Sequence, residues 1–170
     1  MALPKKLKNF NQFIDGVGYA GRATEVELPK LARKFEEYRA GGMSGPVEID
    51  MGQEKLEGNI TLAEYSRAVL EQYATTGVDG VGMRFRGAAL NDEAGGTTDA
   101  IEIVMRGRFK EIDFGSAKAG DDTPMKIAYT LSYFKYMLNG EDIIEIDLVN
   151  MIEKVGGVDR LAEQRNALGL

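Results

Sequence analysis

A single dipeptide, Asn139-Gly140, constrains this chain more than any other feature. Both central residues of a two-residue type I′ turn need positive φ, and Asn-Gly is a pair that adopts it readily. β-Branched and aromatic residues crowd both flanks, from Met125 to Leu138 and from Glu141 to Leu148, as strands favour. Folding the chain about the turn puts Leu138 opposite Glu141, Tyr136 opposite Ile143 and Phe134 opposite Glu145. On the other face Tyr133 meets Ile146 and Leu131 meets Leu148. That second face, with Tyr129 and Met137, is nearly all apolar and is expected in a core. The first face mixes Thr130, Ser132, Glu145 and Asp147 with Phe134 and Tyr136, and is polar and partly acidic. A one-residue slip would swap the two faces, so the register is expected to be well fixed.

At 170 residues the chain is expected to form one domain, residues 1–170, large enough to bury a real core. Its net charge of −6 argues against a phosphate-neutralising nucleic-acid binder and against docking on an acidic membrane surface. No apolar run approaches the length of a membrane span. The stretch Met1–Phe10 is basic but has no apolar run after it, so no secretory signal is expected. There is no Cys and no His. This removes disulfides, thiolate nucleophiles, the commonest general base and the commonest metal ligands. The 21 Gly against 4 Pro suit a β-rich chain with tight turns and bulges.

Along the chain, Asn9–Ile14 and Tyr19–Leu28 are expected to form a hairpin about Asp15-Gly16, closed by Pro29. The pattern of Lys30–Tyr38 fits a helix face or a strand face equally. Arg39–Pro46 is a glycine-rich loop, read either as a mobile segment that docks on a partner or as a plain surface connection. Val47, Ile49 and Met51 alternate with Glu48 and Asp50 as a strand with one acidic face, continued from Gly52 to Ile60. Thr61–Ala74 is expected to be a helix. Thr61 and Glu64 form a capping box, Leu62, Tyr65, Val69 and Tyr73 a stripe, and Gly77 a stop. Val81–Arg86 and Ala100–Asp113 read as strands with an apolar face and a basic face, and Asn91–Asp99 as a flexible loop tip. Asn150, with Glu153 three residues on, predicts a short helical turn through Val155. Asp159–Leu168 predicts a marginal second helix stopped by Gly169.

Chemistry is sparse. The acidic pairs Glu36-Glu37, Asp121-Asp122 and Glu141-Asp142 do not converge on one substrate, because neighbours on a strand point to opposite faces. Gly77–Gly82 lacks the Lys-Ser/Thr ending of a phosphate loop, and no helix follows it. No nucleophile elbow or calcium loop is present. Neither an enzyme nor a cofactor is expected. The residues alone point to an acidic α+β protein, mainly β with one or two helices. A β-barrel carrier of a small ligand, its cavity lined by the apolar hairpin face, stays open as an alternative at this point.

Four stretches carry a resemblance that covers essentially the whole chain in order. They are Phe13–Gly16; Leu28–Leu31 running into Glu37–Met43; Val47–Gly52; and Tyr136–Asn150 continued by Gly157–Ala162 and Asn166–Leu170. Together they resemble the major tail tube proteins of bacteriophages with contractile tails and the tube proteins of R-type pyocins. The resemblance implies a β-sandwich-like subunit with a helix outside. Six such subunits would form a ring whose strands join one β-barrel, and rings would stack into a tube inside a contractile sheath. It implies as partners the sheath protein, baseplate and tape-measure proteins, with no specific nucleic-acid binding and no stable membrane insertion. The expected location is the virion tail, assembled in the host cytoplasm. The resemblance also favours strand over helix for Lys30–Tyr38.

Three sets of residues take expected roles on that basis. Glu145, Asp147, Thr130 and Ser132 are expected to face an acidic channel that repels passing DNA. Arg39, Gly41, Gly42, Met43, Gly45 and Pro46 are expected to order only on docking against the next ring, with Met43 exposed in a lone subunit. Arg84, Arg86, Arg106 and Arg108 are expected to pair with acids of their own sheet or of a neighbouring subunit.

Overall fold

The long strands come from runs of β-branched and aromatic residues, and their pairing organises the molecule. The computed structural model describes residues 3–93 and 95–170. Met1, Ala2 and Ala94, which fall in the basic N-terminal stretch and in the 91–99 loop, lie outside the described residues. In chain order the elements are β1 (Lys6–Ile14), β2 (Val17–Gly18), β3 (Ala23–Glu27), β4 (Arg33–Tyr38), β5 (Val47–Gln53), β6 (Leu56–Leu62) and α1 (Arg67–Leu70). There follow β7 (Val81–Leu90), β8 (Thr98–Asp113), β9 (Met125–Leu138), β10 (Glu141–Asp147), β11 (Ile152–Val155), β12 (Val158–Asp159) and α2 (Ala162–Leu168). The protein is mainly β with two short helices, as the composition and patterning lead one to expect.

One antiparallel sheet runs β12-β11-β10-β9-β8-β7-β1-β2. The spine is β9. One of its edges pairs with β8 along its length, and the other pairs with β10 over Tyr133–Leu138 and with β6 over Met125–Leu131. β3 extends the sheet beyond β6. The inner faces converge on one apolar cluster that includes Ile60, Leu62, Phe85, Met105, Ile127 and Tyr129, so the sheet must curl around it. Tyr19 closes one end, with its hydroxyl 2.7 Å from Ser66 Oγ at the start of α1. β4 and β5 form a separate two-stranded sheet, which pairs with no other strand among the described residues.

The turn at Asn139-Gly140 forms as its residues require, with φ of 51° and 82°. Asn139 Oδ1 also accepts the Ala100 N–H at 2.9 Å, tying the turn to β8. The register beyond the turn differs from the simple expectation by one residue. Ile144 pairs with Tyr136, Glu145 with Lys135, Ile146 with Phe134 and Asp147 with Tyr133, after an irregularity between Asp142 and Ile144. A second irregularity inserts Ser132 in β9 opposite the Arg106–Gly107 step of β8. Strict alternation from the turn leaves Phe134 on the wet side. The two bulges instead swing Phe134 into the core beside Ile146, and Tyr133 and Lys135 outward. Thr130, Glu145 and Asp147 stay on the outward side. Burial of an aromatic ring outweighs the local irregularity.

Four local readings are corrected. The hairpin expected of Asn9–Ile14 with Tyr19–Leu28 is confined to Phe13–Gly18, and β3 pairs with β6 instead while β1 pairs with β7. The helix expected over Thr61–Ala74 is one turn, Arg67–Leu70, because Thr61 and Leu62 are taken up by β6 in ladder contact with Lys126 and Met125 of β9. Glu64 is no capping partner but pairs with Arg22 at 2.9 Å, and Tyr65 and Tyr73 lie exposed. The strand expected to run on from Met51 to Ile60 breaks after Gln53, and its halves join different sheets. The helical turn expected at Asn150–Val155 is β11 instead. Asp147 accepts the N–H groups of Val149 and Asn150, a tight connection forms, and Met151 takes φ 52°. α2 ends at Gly169 in the left-handed conformation, as expected, but carries no buried residue.

Candidate assembly surfaces

The β4–β5 hairpin is an arm rather than part of the core. Directly opposed residues of an antiparallel pair share a face. Glu36 pairs with Ile49 and Tyr38 with Val47, so Tyr38, Val47, Ile49 and Met51 form an apolar stripe on a face that also carries Glu36 opposite Ile49. Their exposures run from 45% to 53%. The opposite face sets Phe35 against Asp50 and Glu37 against Glu48, which is acidic and places two like charges directly across from each other. A two-stranded hairpin with a wet apolar face is marginal by itself in water. The sequence therefore specifies an element whose stabilising surface lies outside the chain's own core.

The loop at the arm's tip, Arg39–Pro46, closes on itself. The Met43 N–H donates to the Ala40 carbonyl at 3.2 Å, and the Met43 sulfur accepts the Ala40 N–H at 3.2 Å. Met43 is thus half-buried against its own loop, where the sequence led us to expect an exposed side chain. Without a larger core within reach, the thioether folds back over the nearest backbone.

The outward face of β7–β10 holds most of the charge. Glu102 lies between Arg84 at 3.2 Å and Arg86 at 3.4 Å, so both arginines pair within their own sheet. The Arg106 guanidinium stacks over the Tyr133 ring, 4.0 Å from its centroid. The Tyr133 hydroxyl donates to Glu145 Oε1 at 2.8 Å. Partial burial, then the hydrogen bond to the Glu145 carboxylate, pushes the Tyr133 phenol up to about 12. Lys135 bridges to Asp142 at 2.8 Å. Arg108 pairs with Thr130 in the ladder and has no carboxylate partner among the described residues.

Of the four residues expected to line a channel, Thr130 and Glu145 are half-buried on this face. Asp147 is 9% exposed and occupied with the β10–β11 connection, its Oδ2 accepting the Asn150 amide at 2.7 Å. Ser132 is equally buried, at the β9 bulge. Their positions are adjacent, but only two of them offer open polar surface.

Sequence reasoning missed a polar cluster at the base of the arm. Arg33 donates Nε to Asp50 and Nη1 to Glu153 of β11. The guanidinium holds the Asp50 carboxyl below the usual carboxylate range, chiefly through the hydrogen bond. Reading Glu153 as a helix N-terminal residue hid this contact, and no local signal links positions 120 residues apart. The apolar hairpin face, meanwhile, is filled. Met125, Ile127 and Tyr129 are fully buried among neighbours.

A curled antiparallel sheet around an apolar core, with an amphipathic two-stranded arm beside it, places the chain in the class of mainly β proteins. The whole chain is similar to known proteins of that class. A family model, phage tail tube protein FII, matches residues 4–169. The tail tube protein of Escherichia phage P2 is 47% identical over 173 residues, covering 100% of both chains. The major tail tube protein of Serratia phage KSP20 is 37% identical over 171 residues, covering 100% of this chain and 99% of that one. The chain belongs to the phage tail tube protein family. A solved sheath/tube terminator of an extracellular contractile injection system shares the fold at a TM-score of 0.58 and 10% identity. The match covers 80% of this chain and 96% of that one.

Proposed function

We propose that this chain, acting as one tube-building domain, is the repeating subunit of the inner tube of a contractile tail. Six copies close a ring, strands of each joining one barrel, and rings stack within a sheath between baseplate and terminator, around a tape-measure protein. The tube conducts DNA in a phage, or punctures a membrane in a pyocin-like particle. The subunit is then a virion component, put together in the host cytoplasm. The observation that carries this reading is the β4–β5 arm, whose apolar stripe needs a second copy to cover it. Arg39, Gly41, Gly42, Met43, Gly45 and Pro46 at its tip are proposed as the ring-to-ring contact.

Two finer assignments belong to the same proposal. The outward face bearing Glu145, Asp147, Thr130 and Ser132 lines the channel. Glu145 and Thr130 supply surface there, while Asp147 and Ser132 hold the backbone that presents them. Six copies of a −6 chain carry about −36, six times the formal charge. An acidic ring repels nucleic acid at long range, while on the outward face itself Glu102 and Glu145 stand among Arg84, Arg86, Arg106 and Arg108. Of the four arginines, Arg84 and Arg86 are matched by Glu102. Arg106 and above all Arg108 are left to engage a neighbouring subunit. Negative-stain electron microscopy of the purified protein is the test. Rings or stacked tubes are expected, and a uniform monomer at all concentrations would overturn the reading.

A further inference from the structure

We propose that Arg33 is a positioning residue for assembly: by joining Asp50 on the arm to the buried carboxylate of Glu153 on β11, it fixes the direction in which the arm leaves the body. This rests on the tube reading for its consequence, but not for its geometry. The arm pairs with no other strand among the described residues. Among the described residues, Arg33 to Glu153 is the one side-chain hydrogen bond from Arg33–Gln53 to the rest of the chain beyond the arm's own base. The other polar contacts there, Gln53 Nε2 to the carbonyls of Ala32 and Glu54, stay within the base.

The chemistry suits a tether. Glu153 is only 9% exposed. A carboxylate so placed requires a charged hydrogen-bonding partner, since an unpaired buried charge is strongly destabilising. The planar guanidinium presents separate N–H groups to two carboxylates at once, which a lysine ammonium on a flexible stem does not do with fixed geometry. Arg33 therefore fixes both the arm's internal pairing, through Asp50, and its angle to the body, through Glu153. Beneath this tether the base of the arm lies along a groove lined by Met51, Leu148, Met151 and Leu161. An arm already pointing in its docked direction loses less orientational freedom on binding a second copy, and so binds at lower concentration.

The absence of cysteine allows a clean measurement. Spin labels on Ser44→Cys at the arm tip and Lys126→Cys on β9 report the tip-to-body distance in the free subunit. A narrow distribution is expected for the parent and a broad one for Glu153→Gln. In unlabelled protein, Glu153→Gln is expected to raise the concentration for half-maximal tube formation about tenfold, the weight of one charge-assisted hydrogen bond. Arg33→Lys, which leaves the body untouched, is expected to give an intermediate width and carries the same test if the glutamine variant does not fold. Unchanged width in both variants overturns the tether. A broadened distance with unchanged assembly overturns its role in assembly. A parent that forms no tubes at all overturns the tube reading instead, and the distance widths still decide whether Arg33 directs the arm.

Discussion

Tyr129 shows how a single side chain is accommodated by what stands opposite it. It pairs with Gly58 of β6, and its hydroxyl crosses that strand to donate to the Glu27 carbonyl of β3 at 2.9 Å. A Cβ at position 58 would overlap both the hydroxyl and that carbonyl. Gly58→Ala is expected to cost about 1–3 kcal/mol, the usual penalty of overpacking, in denaturant melts. In a Tyr129→Phe background the same change should cost less, because the two sites share the space. Tyr129 and Tyr133 also set an alkaline limit. Burial raises both phenols, that of Tyr129 further than that of Tyr133 at about 12. A raised phenol favours the fold fully below its unfolded value of about 10, and that contribution is lost as pH rises through the folded value. Melting temperature should therefore fall between about pH 10 and 12. In Tyr133→Phe the fall should be smaller, and equal slopes in the two proteins would contradict the assignment.

At the scale of elements, the arm and the β9–β10 hairpin make opposite use of alternation. The hairpin breaks its alternation twice, at Ser132 and near Ile143, so that Phe134 joins Tyr129 in the core while Tyr133 turns outward. The arm keeps its alternation over Phe35–Tyr38 and Val47–Asp50 and leaves the resulting stripe in water. Deleting Gly41–Gly45 at the tip should leave a subunit with an unchanged far-ultraviolet spectrum that no longer polymerises. Limited proteolysis should cut Arg39–Pro46 in free subunits and spare it in tubes. Equal cleavage in both states would make the loop a plain surface connection. Within the loop, Met43 closes a turn over Ala40 through its N–H and its sulfur.

At the scale of the whole molecule, the charge pattern separates folding from assembly. Arg84 and Arg86 are matched inside the chain, while Arg108 is not matched among the described residues. Replacing Arg106 and Arg108 together by Gln should lower ring or tube yield at least severalfold in sedimentation, with a shift in monomer melting of only a few degrees, since exposed charges contribute little to stability. Normal ring formation by that variant would make these ordinary surface charges.

The extent to which this could be read beforehand follows from the range of each interaction. The Asn139-Gly140 turn, the long strands through Ile103 and Ile127, and the C-terminal helix stopped by Gly169 are local consequences of residue type and were legible in the sequence. So was the absence of thiol or imidazole chemistry. The motifs from Phe13 to Leu170 were enough to indicate the family. Three things were decided only by tertiary structure. Ladder partners on β9 turned Thr61 and Leu62 from a helix start into a strand, because pairing within a sheet outweighs a weak capping preference. Bulges reset the register because burial of Phe134 opposite Ile146 is worth more than regular alternation. Arg33 found Glu153 across 120 residues of chain, a contact that exists only once the sheet has curled and brought β11 to the foot of the arm.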